Sequence, residues 1–532
     1  MAEAQATDLK QPSEGDAEKA DAASAAFVAF NKEIDIDSDK PLPAYDVGRN
    51  KAYRAMAKKG YSSGKTLFAL VCERHLLPRQ RAISTYASFG HSSVLPLVEC
   101  RKIYWPPAKQ ERFVFIYEDS LGKVLLNPNH PHAMGWKQER VMDVVVKPMV
   151  EILQSFQAKD FVHGSIRPSN MFDGGLGDAM KRIMLGDCLS TPPSYTQPSL
   201  YETIERGMAD PVGRGLGTLT DDLYSFGVSL AVFLRTHDPL SGMSDEDVIR
   251  EKIKQGSYAA ITGKDRFRGS VLELLRGLLH DDPSQRWTID EVMVWMDGRR
   301  LSPKQALKRK KAIRPFVYGG ERYFQAPLLG MALDIIPAET VKVVENETLQ
   351  QWISRALEDD AVEEKMERAL KDALRDGGRG AGYEDRVVAN LSAAFDPMAP
   401  IRFRGLRVMG DGIGAALYEV IVLKQDVKVF VDLFMQSVAL SWVSSTDNPN
   451  LDTRGLVTKF EHCRNYLRQK GIGYGLERCL YVLARDTPCL SPLLSDYYVT
   501  SPEEMVLAFE DLAKKGDASG AFLDRHSVAF LL

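Results

Sequence analysis

The stretch VHGSIRPSNMF, Val162 to Phe172, sets a histidine, two serines, an arginine and an asparagine side by side, and the run RIMLGDCLS downstream contributes Asp187. Asn170 and Asp187 offer hard oxygen ligands of the kind a divalent cation takes. The plainer account is that Asn170 caps a turn and Asp187 is an ordinary loop carboxylate. His163 and Ser165 do not make a hydrolase pair. They stand two apart, and no G-x-S-x-G elbow presents the serine. Ser165 is neutral at pH 7 and a poor base, and His163 reads as structural. Cys72, Cys100, Cys188, Cys463, Cys479 and Cys489 include no C-x-x-C pair, which leaves zinc or thioredoxin-like chemistry without support. Scattered cysteines suggest small core residues in a reducing compartment.

The elements that must position these residues follow from periodicity. Pro41 to Tyr117 reads as strand-rich, with β-type runs at TLFALVC (Thr66 to Cys72) and RFVFIYE (Arg112 to Glu118) separated by turn residues. From Gln138 the period becomes helical. Val141, Val144, Val145, Met149, Ile152 and Leu153 form one stripe, and Pro148 should kink that helix. Further helices are expected at Asp221 to Leu234, Asp245 to Lys254, Arg268 to Leu279 and Ile289 to Met296. A basic run, Lys304 to Lys311, follows and reads as a solvated linker face rather than a nucleic-acid or anionic-lipid contact. Beyond it come helices at Leu349 to Leu357, Val362 to Leu374, Val387 to Phe395, Ala415 to Trp442, Val457 to Lys470 and Pro502 to Lys515. GGRGAG, Gly377 to Gly382, reads as a flexible joint. VMGDGIGAALYEV presents Gly410, Gly412 and Ala415 in a G-x-G-x-x-A spacing, a dinucleotide fingerprint only if a βαβ unit surrounds it. A glycine-rich turn entering a helix explains it better. Trp352, Trp442 and Tyr497–Tyr498 read as core or interface residues.

The 532 residues allow two to four domains, and 44% apolar with 26% charged residues is a globular composition. A net charge of −4 makes bulk nucleic-acid binding unlikely. Residues 1–25 lack the basic and apolar regions of a signal peptide and read as a disordered tail. The most apolar later stretch, Gly414 to Val443, carries Glu419, Lys424, Asp426, Lys428 and Asp432, so no membrane span is expected and the location reads as cytoplasmic.

The order VHGSIRPSN, GDCLS, DDLYSFG and DPSQRW resembles the eukaryotic-type serine/threonine protein kinase superfamily over Pro41 to Gly298, about half the chain. The resemblance implies an α+β, two-lobed protein-kinase-like domain at 41–298, then a basic linker and connecting segment at 299–345 and a mainly α-helical C-terminal domain at 346–532. The family's catalytic loop reads H-R-D-L-K-P-S-N. Here Ser165 takes the place of the catalytic aspartate, Arg167 that of the lysine, and Asn170 keeps a magnesium ligand. Asp187, in place of the D-F-G aspartate, is the other implied ligand. Ala69 matches the residue packed on adenine, and Val71 replaces the phosphate-binding lysine. Only Gly48 stands where a glycine loop should be, and Arg81 and Ala82 lie where the helix-C glutamate is expected. Asp222 matches the buried aspartate that ties down the catalytic loop. Arg286 matches an arginine whose glutamate partner is not evident, with Asp210 suggested as its substitute.

Loss of one charged or oxyanion-type group costs on the order of 3 kcal/mol, about a hundredfold in rate. Several are missing together, which implies a pseudokinase: a catalytically impaired regulatory scaffold that binds protein partners through its kinase-like lobes and C-terminal helical domain. The alternatives are a divergent ATP-dependent serine/threonine kinase and an ATP-binding switch without transfer. Mg-ATP is the one cofactor the resemblance implies.

Overall fold

The structure, a computed structural model, describes residues 27–58, 64–126, 135–177, 180–302, 304–375, 377–516 and 522–532. The expected tail at 1–25 lies outside them. The chain is of mixed α/β class, with an antiparallel sheet near its N-terminus and a long helical C-terminal region. It divides into two units. One comprises the residues up to Glu73 together with Leu97–Asp119, and the other Arg74–Pro96 together with Ser120–Leu532.

The first unit is a six-stranded sheet: β1 (Phe27–Ala29), β2 (Ile34–Pro41), β3 (Lys51–Ala57), β4 (Leu67–Val71), β5 (Leu97–Trp105) and β6 (Gln110–Glu118), in the order β1-β2-β3-β4-β6-β5. Every pairing is antiparallel. The two expected β runs are β4 and the greater part of β6. Their unbroken apolar sequences reflect burial on both faces: Leu67 to Val71 and Phe113 to Tyr117 are all buried. The strand region begins earlier than Pro41, because β1 and β2 precede it. Ile34 and Ile36 alternate with aspartates and point into the sheet's core with Val28, Val71, Val114 and Ile116.

The second unit is mostly helical. Gln138–Val141 and Lys147–Ala158 are helical turns joined by a wider π-type turn, Met142–Val146. The bulge ends just before Pro148, which has no N–H to give an ordinary turn. The expected disturbance is therefore met by widening the helix. The helices Leu219–Leu234, Asp245–Gln255, Gly269–Leu278 and Ile289–Met296 follow the expected ones closely. Thr218 with Asp221, and Thr288 with Glu291, form reciprocal capping boxes that fix two of their starts.

Three expectations are corrected. The segment 299–345 is more than a connector. It contains the hairpin Phe316–Tyr318 and Glu321–Tyr323 and the helices Ala326–Ala332 and Pro337–Glu345. Its apolar residues share one core with Ile204, Ile249 and Ile253 on one side and Trp352, Leu391 and Phe395 on the other. Within the basic run, Arg309 meets Asp281 at 3.5 Å and Lys310 donates to the carbonyl of Glu358, while Lys308 and Lys311 stand exposed. Second, Ala415 to Trp442 is three helices, Ile413–Val422, Lys428–Met435 and Val438–Ser445. Lys424 and Ser437 adopt positive φ (55° and 58°) and break the continuity. Third, the Gly377–Gly382 joint is tied. The Arg386 guanidinium donates to Ala373 O (2.9 Å), Gly378 O (2.7 Å) and Ala381 O (3.2 Å).

Five of the six cysteines are buried, and among the described residues none forms a disulfide. Trp352 and Trp442 are buried, each donating its indole N–H to a backbone carbonyl. Among the described residues no helix is long and apolar enough to cross a membrane.

The Gly410–Gly412 motif lies between the strand Leu406–Val408 and the helix Ile413–Val422. Its glycines face protein. A methyl at Gly412 would overlap Gly213 O, one at Gly410 would meet the Trp442 ring at 2.6 Å, and one at Gly414 would meet the Leu483 backbone at 2.7 Å. The glycines serve close packing between chain segments rather than approach to a pyrophosphate. Gly412→Ala is therefore expected to lower stability by about 1–3 kcal/mol, measured by urea unfolding, without any change in affinity for a dinucleotide.

Candidate functional site

The loop Phe161–Arg167 is irregular and passes through Pro168–Asn170 into the short strand Met171–Phe172, which pairs with Met184–Leu185. This pairing brings Asn170 beside Asp187. The loop's shape is set from below by Asp222, near the N-terminus of the helix Leu219–Leu234. Its carboxylate accepts the N–H of His163 (2.6 Å) and of Gly164 (2.8 Å). Burial pushes the Asp222 carboxyl up to about 7, against the downward pull of those two N–H groups.

His163 is buried, its ring stacked on Phe156 with centroids 6.1 Å apart. Neither ring nitrogen makes a well-formed hydrogen bond among the described residues. Burial, reinforced by the Arg79 guanidinium, lowers its pKa to about 3, and the Gly186 backbone offsets this only in part. A neutral, enclosed imidazole is no general base for Ser165, in keeping with the structural role expected of it.

Ser165 is buried, and its hydroxyl accepts a hydrogen bond from Arg167 Nη1. Arg167 is half-buried and spends its other donors on neutral partners: Ser169 Oγ (3.0 Å), Thr196 Oγ1 (3.2 Å) and Gln197 Oε1 (3.4 Å). Burial lowers its pKa to about 10. The loop is closed from above by the segment that follows Asp187. Ser194 donates its N–H to Gly164 O (2.8 Å), and a methyl on Gly164 would stand 2.9 Å from Pro193 Cβ. Gly164 adopts φ +68°, which only glycine takes easily.

Asn170 and Asp187 are both buried, and both are engaged. Asn170 Nδ2 donates to Ser165 O (2.9 Å) and Asp187 O (3.1 Å), while its Oδ1 faces Gly186. The Asp187 carboxylate accepts Leu189 N–H (3.1 Å), Ser190 N–H (3.2 Å) and Ser190 Oγ–H (2.6 Å). It thus caps its own turn. The two side chains in this arrangement do not fit magnesium, because their oxygens are directed into protein donors and close backbone. Among the described residues no group of three or more His, Cys, Asp or Glu could hold a metal ion.

Ala69 and Val71 belong to the sheet unit. Ala69 is fully buried on β4 between Tyr53 and Ile116, and Val71 sits between Lys51 and Val114 within the apolar core. Neither provides a polar atom beyond its backbone. Arg81, in the helical unit, is exposed and meets Asp486 at 3.4 Å.

The expected pairing of Arg286 with Asp210 is corrected. Asp210 accepts the N–H of Arg407 at 3.1 Å. Arg286 instead faces Asp221 at 3.7 Å and donates to Thr220 O and His280 O. Arg286 also acts on Glu205, whose pKa burial raises to about 7 against the pull of Arg286. Glu205 lies in YETIERG, five residues before the residue chosen from sequence.

Two contributors gave little sequence signal. Arg79 donates to Val162 O (2.7 Å), His163 O (3.1 Å) and Cys188 O (3.0 Å), stapling the loop to the segment after Asp187. Pro193 and Ser194 form the cover, and only the Pro-Pro pair marks their rigidity. No protein-family model matches the chain.

The enclosed histidine predicts a pH signature. Its folded pKa lies below the unfolded value of 6.5, so its contribution is present above pH 6.5 and is lost as pH falls toward 3. Between pH 7 and 4 the wild type should lose about 3 kcal/mol more stability than His163→Phe, read from denaturant unfolding. Asp222 and Glu205, both raised, act in the opposite sense but are common to both proteins and cancel in the difference.

Proposed function

We propose that the chain is a degenerate, two-lobed protein-kinase-like protein that transfers no phosphate and acts as a protein-binding regulatory scaffold. The observation that carries this reading is the engagement of Ser165, Asn170 and Asp187 by protein donors and backbone. The Asp187 carboxylate is consumed by its own turn, and Ser165, which the resemblance aligns with the catalytic aspartate, has its hydroxyl held by Arg167. Phosphoryl transfer depends on charge placed around the moving group. Here the aspartate that orients the acceptor is absent, and Val71 offers an apolar side chain within the sheet's core. The buried Asp222 supports the family likeness, because it anchors the loop through the contacts that the resemblance leads one to expect.

The scaffold role is supported by the extent of the helical region, which is far larger than the loop needs for its support. Several large apolar side chains there are exposed, including Ile313 at 72%, Val317 at 61% and Ile335 at 59%. Exposed apolar side chains of this kind suit protein partners.

Thermal melting of the full chain with millimolar Mg-ATP should give no shift, and incubation with labelled ATP and generic protein acceptors should give no transfer. Ser165→Asp should restore none, since the cover and the Asp187 turn remain. A shift without transfer would favour an ATP-binding switch. Transfer abolished by Asp187→Ala would establish a divergent kinase instead.

A further inference from the structure

The helical unit contains an open cavity of about 630 Å³, within the size range that receives small organic ligands. Phe267, Leu272 and Leu279 give it an apolar wall, and Tyr258 adds an aromatic face. Two carboxylates also line it, and both are occupied by protein donors. Asp265 accepts Thr236 N–H (2.9 Å) and Thr236 Oγ1–H (2.8 Å) and faces His237 at 3.4 Å. Asp281 accepts Ser257 N–H (3.2 and 3.3 Å) and pairs with Arg309 at 3.5 Å.

The cations differ. Arg266 and Arg276 line the same space, both are exposed, and neither forms an ion pair among the described residues. The Arg276 guanidinium stands over the Tyr258 ring, 5.3 Å from its centroid. Lys304 adds a third positive charge, shared with Glu291 at 3.7 Å. The cavity thus holds two exposed guanidinium groups outside any ion pair among the described residues, beside an aromatic ring and an apolar wall. Guanidinium forks match the oxygens of a phosphate, and their planes stack on flat rings.

We propose that this cavity binds a small phosphate monoester with an aromatic or apolar body. A phosphate dianion answers both arginine charges, where a single carboxylate answers one. The body lies against Tyr258 and Phe267. The inference does not depend on the loop at Asn170 or on the scaffold reading.

The test uses the full-length protein and phenyl phosphate, followed by thermal shift and calorimetric titration. Inorganic phosphate serves as the head group alone and phenol as the body alone. Phenyl phosphate should give saturable stabilisation at lower concentration than either. Arg266→Gln with Arg276→Gln should raise the half-saturating concentration about tenfold or more, with the unliganded melting temperature unchanged because both side chains are exposed. Tyr258→Leu should weaken phenyl phosphate but not inorganic phosphate. No saturable shift in the wild type, an equal half-saturation in the double variant, or inorganic phosphate binding as well as phenyl phosphate would overturn the proposal.

Discussion

Two backbone N–H groups, those of His163 and Gly164, end on one buried carboxylate, Asp222. Without it, the tight turn at Gly164 would leave two donors buried without acceptors, at about 1–3 kcal/mol each. With it, the loop can turn at positive φ, present Ser165 to Arg167, and bring Asn170 against the backbone of Asp187. The cover at Pro193 and Ser194 depends on the same turn, since only the bare Gly164 admits Pro193. The site is thus a shape held by backbone hydrogen bonds.

The chain that follows the cover is held by buried cations. Lys252 donates to the carbonyls of Ser199, Leu200 and Glu202, and burial lowers its pKa to about 7. Arg206 pairs with Glu202 at 3.2 Å and donates to Ser194 Oγ. Arg214 donates to Ser194 O and Gln197 O. Few of these donors meet a carboxylate. They satisfy the carbonyls of a segment that has no regular secondary structure, which is what a buried irregular segment requires. The segment's hydroxyls at Ser190, Thr191, Ser194 and Ser199 are correspondingly buried.

Much of this was legible in the sequence, and the limits have physical causes. Strands β4 and β6 and the helices around Asp222 carry long, unambiguous periodicities, so local pattern sufficed. The pattern Ile34-Asp-Ile36 was equally regular but short, and an adjacent turn-rich stretch masked it. Asp222, Asn170 and Asp187 stand in a recognisable order, so their proximity could be anticipated. What they do with their oxygens could not, because it depends on the fold of Leu189 and Ser190. Arg79 acts through three carbonyls, which leave no trace in residue type. Asp210 is suggested as the partner of Arg286 by residue type alone, whereas the carboxylate that faces Arg286 is Asp221 at the start of the helix that carries Asp222, a placement only the fold decides. The segment 299–345 reads as a connector in sequence because of its charged run, and only tertiary packing unites the apolar residues after that run with Ile204 and Trp352.

The central proposal is that Asp222 fixes the loop in one backbone-held shape that does not respond to nucleotide. Native-state amide hydrogen exchange at His163 and Gly164 tests it most directly, because those N–H groups make the bonds on which everything else rests. The account predicts that both exchange only with global unfolding, as slowly as the core of the helix Leu219–Leu234, and that Mg-ATP leaves their rates unchanged. Fast local exchange at either amide, or a change in protection on adding Mg-ATP, would contradict it.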